Sequence, residues 1–301
     1  MNYRKIDLND WELQGEGASG ESYFSKIDSG IMLKLLKPGE SEDAFLAEFE
    51  NSRKLASIGF KTPAAKEIVE ESQSGRLGII YEKVQEKISF TRMIHDNPSD
   101  LPRIAKIHAE EAKKFHGMNC DPNQFLCYKD FIRGTLPKLF TFKKYKKMLS
   151  AAIDLVPDSY GCLQLDFQPG NIVHSKKTGE NYWIDLGEFG YGHYLFDIAM
   201  LYLFTNVICN KKNLQQTFHM TEQQLRDYWD EFTAAYFGRA IRPDEPFGKK
   251  IRLYLTLVVS VSFNRIPAPR LIKIIIMNVI FKNVLKGISL EDVADIMGAE
   301  V

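Results

Sequence analysis

The chain has 301 residues with 39 basic and 39 acidic side chains, so its formal net charge is zero. At roughly 150 residues per domain this length predicts two domains or two lobes, and neutrality argues against a general nucleic-acid binder, which would carry excess positive charge. A hydrophobic share of 45% and a charged share of 26% exclude disorder, collagen and coiled coil as descriptions of the whole.

Cys120, Cys127, Cys162 and Cys209 are too scattered for a disulfide framework or a zinc site, and predict reduced, mostly buried thiols. The first seven residues lack the apolar core of a signal peptide, and the most apolar stretch, Leu253 to Phe263, is far short of the ~20 residues that span a bilayer. The expectation is a cytoplasmic protein with no membrane partner.

Along the chain, residues 10–36 read as three short strands, punctuated by glycines at 15–20 and by the turn Asp28-Ser29-Gly30. Ser41 predicts a helix cap, with Glu42 and Asp43 matching the positive end of the helix dipole. Phe45, Phe49, Ser52 and Ala56 recur at helical spacing until Gly59 and Thr62-Pro63 stop the helix. Leu77 to Val84 is a further strand. Leu101, Ile104, Ala105, His108, Ala112 and Phe115 mark a helix face, with Gly117 at its end. Short apolar segments at 162–165, 171–174 and 182–184 interrupt the helical pattern, which resumes at Phe196. The prediction is an α+β protein with a β-rich lobe over 1–84 and a larger helical lobe over 85–301.

The chemistry-bearing residues fall in one order. Gly15-Glu16-Gly17-Ala18-Ser19-Gly20 fits G-x-G-x-x-G, but only seven residues separate it from the next turn, too few for the helix of a dinucleotide-binding fingerprint. A strand–loop–strand flap over nucleotide phosphates is the remaining geometry. Lys34 sits inside the apolar run Ile31 to Leu36, where its ammonium needs an anion. Glu48 lies 14 residues later on the predicted helix and could be that partner, with Glu50 a close competitor. Asp166 with Asn171 five positions on, then Asp185 at a strand end, supplies three oxygen groups. Two of them can hold Mg²⁺ beside ATP phosphates, and the third can accept a hydroxyl proton.

At these residues the chain resembles the aminoglycoside phosphotransferase and choline kinase group, which has a bilobal protein-kinase-like fold. Gln164-Leu165-Asp166-Phe167-Gln168-Pro169-Gly170-Asn171 is similar to the group's H-G-D-x-x-x-x-N loop, and Ile184-Asp185-Leu186-Gly187 to its I-D-x-G segment. Phe196-Asp197-Ile198-Ala199 is similar to its D-L-A segment, and the stretch 182–193 is most similar to a bacterial branch of uncharacterised phosphotransferases. The likeness runs from about residue 10 to 205.

The resemblance implies an ATP- and Mg²⁺-dependent transfer of phosphate to a hydroxyl of a small molecule. By it Asp166 is the base, Asn171 and Asp185 the metal ligands, and Lys34, oriented by Glu48, contacts phosphates covered by Gly15, Gly17 and Gly20. A hinge at about 81–88, with Glu82 and Val84, gives adenine its backbone hydrogen bonds, and Asp197 supports the catalytic loop. Gln164 and Leu165 replace the group's His and Gly; leucine constrains the backbone more than glycine, and the alternative reading is a catalytically weak or inactive nucleotide-binding scaffold. Glu188, Tyr191 and His193 follow the metal aspartate as a candidate acceptor pocket. His108 and His116, eight apart on one helix, read as core or groove residues, and the run Lys143–Lys147 as a solvated helix face, with no nucleic-acid partner expected.

Overall fold

In the computed structural model, which describes residues 3–16, 20–139, 141–262 and 269–301, the run Ile31–Leu36 is a strand, β4. Alternation turns Met32 and Leu36 to one face of a six-stranded sheet and Ile31, Leu33 and Leu35 to the other. The other strands of that sheet are β1 (Arg4–Ile6), β2 (Trp11–Glu16), β3 (Gly20–Ser25), β5 (Ala65–Glu71) and β6 (Leu77–Glu82). Their order is β1-β5-β6-β4-β3-β2, antiparallel except for the β1–β5 pair. Helix α1 (Glu42–Ser57) lays Phe45 and Phe49 on the Met32/Leu36 face.

The ends of α1 follow from local chemistry. The Ser41 hydroxyl accepts the Ala44 N–H at 3.2 Å. At the other end Gly59, at φ +80°, takes the left-handed turn that lets the Phe60 N–H reach back to the Leu55 carbonyl. Strands β1 and β5 add to those the sequence suggested. Four of the seven residues of β5 are charged and β1 is only three residues long, so neither has an apolar run; sheet pairing makes them strands.

Contacts divide the chain into one unit of residues 1–90 and 170–188, and a second of 91–169 and 189–301. The expected cut near residue 84 assigned 170–188 to the helical part. That segment joins the first unit because β10 (Ile172–Ser175) pairs with β7 (Lys87–Ser89) on one side and with β11 (Asn181–Trp183) on the other.

The second unit is mainly helical: α2 (Phe90–Asp96), α3 (Leu101–His116), α4 (Tyr128–Thr135), α5 (Lys143–Leu155), α6 (Leu195–Tyr202), α7 (Lys212–Phe218), α8 (Glu222–Phe237), α9 (Pro246–Ser262), α10 (Arg270–Val284) and α11 (Val293–Gly298). Three two-residue strands, β8 (Leu126–Cys127), β9 (Cys162–Leu163) and β12 (Gly190–Tyr191), form a small sheet with β12 central. Its tight packing demands glycine at 190, where a Cβ would lie 2.7 Å from the Leu126 carbonyl oxygen. Fully buried Ile104, Leu195, Phe196, Tyr228, Phe232 and Tyr254 belong to this unit's core.

Candidate functional site

Strand alternation sends Lys34 toward α1. There its Nζ donates to both carboxylate oxygens of Glu48, at 2.8 Å each, and to Oδ1 of Asp185 at 2.7 Å. Glu48 shares the helix face of Phe45, Phe49 and Ser52 and is nearly buried, whereas Glu50 is exposed. The three-residue and four-residue spacings therefore choose Glu48 as the partner. Tyr81 of β6 donates its hydroxyl to Glu48 Oε1 at 2.8 Å, which fixes the carboxylate from a second side. Burial draws the Lys34 ammonium's pKa down, but the carboxylates of Glu48 and Asp185 outweigh it, and the net shift is upward. Burial, then the charge of Glu48, drives the Tyr81 phenol well above its usual value.

Asp185 is held from α1 as well. The Asn51 amide donates to the carbonyls of Leu186 and Gly187, at 3.2 and 3.4 Å. Asp185 itself lies at φ +58°, a left-handed conformation that aspartate tolerates better than most residues. The Ile184 N–H donates to the Asn171 carbonyl at 3.0 Å, so the β10–β11 register carries Asn171 and Asp185 to neighbouring positions at the open end of the hairpin. Asn171 is buried and the Asp185 side chain is 51% exposed.

Lys34, Glu48, Tyr81 and Asp185 border a pocket that Gly20, Met32, Val84 and Ile184 also line. Apolar side chains form one part and the Lys34 cluster the other. Space at Gly20 is tight, since a Cβ there would meet the Leu35 carbonyl oxygen and the Lys34 stem at 3.1 Å, and either would have to give by a few tenths of an ångström. Gly15 has open space about it, and Gly17 lies outside the described residues. Val84 lines the pocket, whereas the N–H groups of Glu82 and Lys83 are taken by the carbonyls of Ala64 and Gly30, both at 2.9 Å. Glu82 thus has no N–H to offer a ligand.

The donor set fits a hard divalent cation. Asp185 and Asn171 supply oxygen only, which suits Mg²⁺, an ion that keeps several waters and shares phosphate oxygens rather than filling its shell from protein. Among the described residues no group of three or more His, Cys, Asp or Glu could hold a metal ion.

Asp166 belongs to the second unit. Its loop is fixed by Asp197 of α6, a fully buried carboxylate whose Oδ2 accepts the Gln164 N–H and whose Oδ1 accepts the Leu165 N–H, both at 2.8 Å. His116 adds a third donor, its Nε2 lying 3.2 Å from Oδ2 while its Nδ1 lies 2.8 Å from the Tyr236 hydroxyl. A carboxylate only accepts, so the ring proton sits on Nε2. These bonds hold Leu165 at φ +65°, a conformation costly for leucine. Gln164 is fully buried.

Phe167, directly after Asp166, stacks on His108 at 4.7 Å and packs against His116 at 5.5 Å. Burial lowers the His108 pKa to about 3, assisted by His116, so the ring is neutral. The sequence reading placed both histidines in a core or groove without a partner. Their recurrence two turns apart was the available signal; Phe167 and Asp197 as partners were not legible. Tyr81 and Asn51 were likewise missed, for each is one polar residue in an ordinary strand or helix.

The candidate acceptor residues fall in different surroundings. Glu188 is exposed and belongs to the first unit. Tyr191 stacks on Tyr160 at 5.8 Å, and His193 packs between Tyr194 and Tyr254 at 4.6 and 5.3 Å. Burial, with Lys250 and His116 nearby, lowers the His193 pKa to about 4.

No protein-family model and no curated protein matches the chain in sequence. Solved structures do match in fold. Aminoglycoside phosphotransferase APH(3'')-Id from Streptomyces rimosus, in complex with ADP and streptomycin, aligns over 82% of this chain and 91% of its own at 18% identity, with TM-score 0.52. The streptomycin–ATP ternary complex of APH(2'')-IIa aligns over 94% and 93% at 15% identity, with TM-score 0.55. A GDP and kanamycin complex of another APH(2'') enzyme aligns over 91% and 92% at 14% identity, with TM-score 0.55. At such identities the likeness establishes the fold: this chain has the α+β, kinase-like fold of the aminoglycoside phosphotransferases.

Proposed function

We propose that the protein is a phosphotransferase that moves the γ-phosphoryl group of Mg·ATP to a hydroxyl of a small molecule. The observation that carries this reading is the pocket-lining Lys34, oriented by Glu48 and also bonded to Asp185, in a fold shared with nucleotide-bound phosphotransferases. A lysine held by two carboxylates is charged and aimed, and in this reading it grips phosphate oxygens while Glu48 keeps its direction. Gly20 lets the β3 backbone lie close to those phosphates, and Val84 meets the adenine edge. Asn171 and Asp185 would hold the metal, which when bound would neutralise charge on the phosphates.

Asp166 accepts the proton of the acceptor hydroxyl as its oxygen attacks. Asp197 sets the backbone on which Asp166 stands, and the stack of Phe167 on His108 limits the movement of that backbone. Such chemistry depends on placement more than on covalent participation.

The test pairs two variants. Asp166→Asn is expected to lower turnover by about 10²–10⁴-fold while leaving Mg²⁺-dependent stabilisation by ATP in a thermal-shift titration. Lys34→Met is expected to lose that stabilisation, which for the parent chain reaches about 2.7 kcal/mol at a hundred times Kd. Turnover is read against a panel of amino-alcohols, sugars, nucleosides and aminoglycosides. Normal turnover by Asp166→Asn would overturn the assignment of the base. ATP stabilisation without turnover on any acceptor would favour a nucleotide-binding scaffold, the reading that the strained Leu165 invites.

A further inference from the structure

In a chain of zero net charge, two stretches of the second unit hold positive charge alone. Residues 134–153 carry five lysines and no acid, and residues 262–290 carry five basic residues and no acid. They are neighbours in space: Asn278 of α10 accepts, through Oδ1, the Thr141 hydroxyl at 2.9 Å and the Phe142 N–H at 3.2 Å, just before α5. Lys143, Lys144 and Lys147 of α5 and Lys282 of α10 line one groove, whose apolar lining includes Leu285, Ile288 and Leu290. Among the described residues no acidic side chain lines it.

Beside this groove α10 turns an apolar stripe to solvent. Leu271, Ile272, Ile275, Ile276 and Val279 are 69, 46, 56, 43 and 53% exposed. At about 100° per residue these positions span about 140° of the helix, and Lys282 continues the same arc one turn on. Met277, Asn278, Phe281 and Val284 are buried, so one face of the helix packs inward while the stripe lies on the other. Phe142 is also 62% exposed. Single exposed apolar residues are ordinary, but five on one helix face form a patch of the kind that marks an interaction surface.

We propose that this face docks on an anionic lipid bilayer, with the α10 stripe entering the headgroup region and the four groove lysines meeting lipid phosphates and carboxylates. A branched aliphatic stripe beside uncompensated lysines is the combination an anionic interface selects, since acyl chains accept the first and headgroups the second. A symmetric contact with a second copy would set these lysines against one another. A nucleic-acid surface would call for several exposed aromatic side chains to stack on bases; the stripe has none, Tyr145 of the groove is buried, and Phe142 is a single ring beside five branched aliphatic side chains. Among the described residues no helix is long and apolar enough to cross a membrane, so the contact is with the surface.

The test is co-sedimentation of the full chain with phosphatidylcholine vesicles, with and without phosphatidylserine, at low and high salt. Binding is expected with phosphatidylserine and to weaken about tenfold or more in high salt or with phosphatidylcholine alone. Lys143→Glu/Lys144→Glu/Lys147→Glu and, separately, Ile275→Asp/Val279→Asp are each expected to weaken it at least about tenfold. These side chains are outside the core or lie on the stripe, so thermal melting should stay close to that of the parent and serves as the folding control. Absence of sedimentation with phosphatidylserine vesicles, or sedimentation unchanged in both variants, overturns the proposal. A concentration-dependent dimer abolished by Ile275→Asp/Val279→Asp would give the face to a second copy. Binding to single-stranded RNA tighter than to vesicles, and lost with the lysines, would give it to nucleic acid.

Discussion

The two units hold their central charged side chains by opposite means. In the first, charge answers charge: Lys34 meets Glu48 and Asp185 at the border of an open pocket. In the second, the Asp197 carboxylate is closed off from water and answered by two peptide N–H groups and a histidine. An ion pair at a pocket can exchange partners when a ligand brings its own charge. A carboxylate clamped by backbone donors fixes the chain around it. The difference separates a group suited to handling an anion from a group that shapes a loop.

The largest expected effect comes from breaking the closed arrangement. Asp197→Ala strands the N–H groups of Gln164 and Leu165 in a buried setting and should cost about 3–5 kcal/mol of unfolding free energy, read by urea denaturation. A cost below about 1 kcal/mol would mean that the loop finds other acceptors, and the contrast between the units would fail.

The two units should also weaken from opposite ends of the pH scale. Lys34 has a folded pKa above its unfolded value, so the stability it contributes is complete below about 10.5 and is lost as the pH rises through the folded pKa. His108 has a folded pKa of about 3 against 6.5 for the free side chain. Between those values the unfolded chain binds a proton that the folded chain refuses, so stability falls as the pH falls, at up to about 1.4 kcal/mol per unit. His108→Leu should flatten the acid limb between about pH 6 and 4 in denaturation curves and leave the alkaline limb as it was. An unchanged acid limb would remove His108 as its source.

The smallest effect isolates the strain that the Asp197 clamp imposes. At an ordinary position alanine is more stable than glycine by roughly 0.5–1 kcal/mol. At residue 165, held at φ +65°, the order should reverse, with Leu165→Gly more stable than Leu165→Ala by about 1 kcal/mol. Both should fall below the parent, because Leu165 is buried and its side chain is lost in each. The usual order of alanine over glycine would show that the left-handed turn is not enforced in solution.

Much of the first unit's site was legible as sequence because its signals are local. The lysine within an apolar run identified Lys34 as needing an anion, and the helix predicted downstream offered Glu48 and Glu50 as partners. Burial of Glu48 on the face of Phe45 and Phe49 decided between them. The second unit's loop was legible only as a motif. That Leu165 is left-handed, that Asp197 takes both neighbouring N–H groups, and that His108 and His116 press on Phe167 are facts of contact between distant segments.

By itself, then, the sequence determined the α+β class, the chemistry-bearing residues in their order, and the balanced charge, since these rest on composition, periodicity and short spacings. Tertiary structure alone decided that residues 170–188 return to the first unit, because β10 must find β7 to satisfy its backbone. It also gathered two acid-free stretches, far apart in a neutral chain, onto one basic and apolar face. Net charge adds over the whole chain and carries no position, whereas packing is what assigns each charge its neighbours.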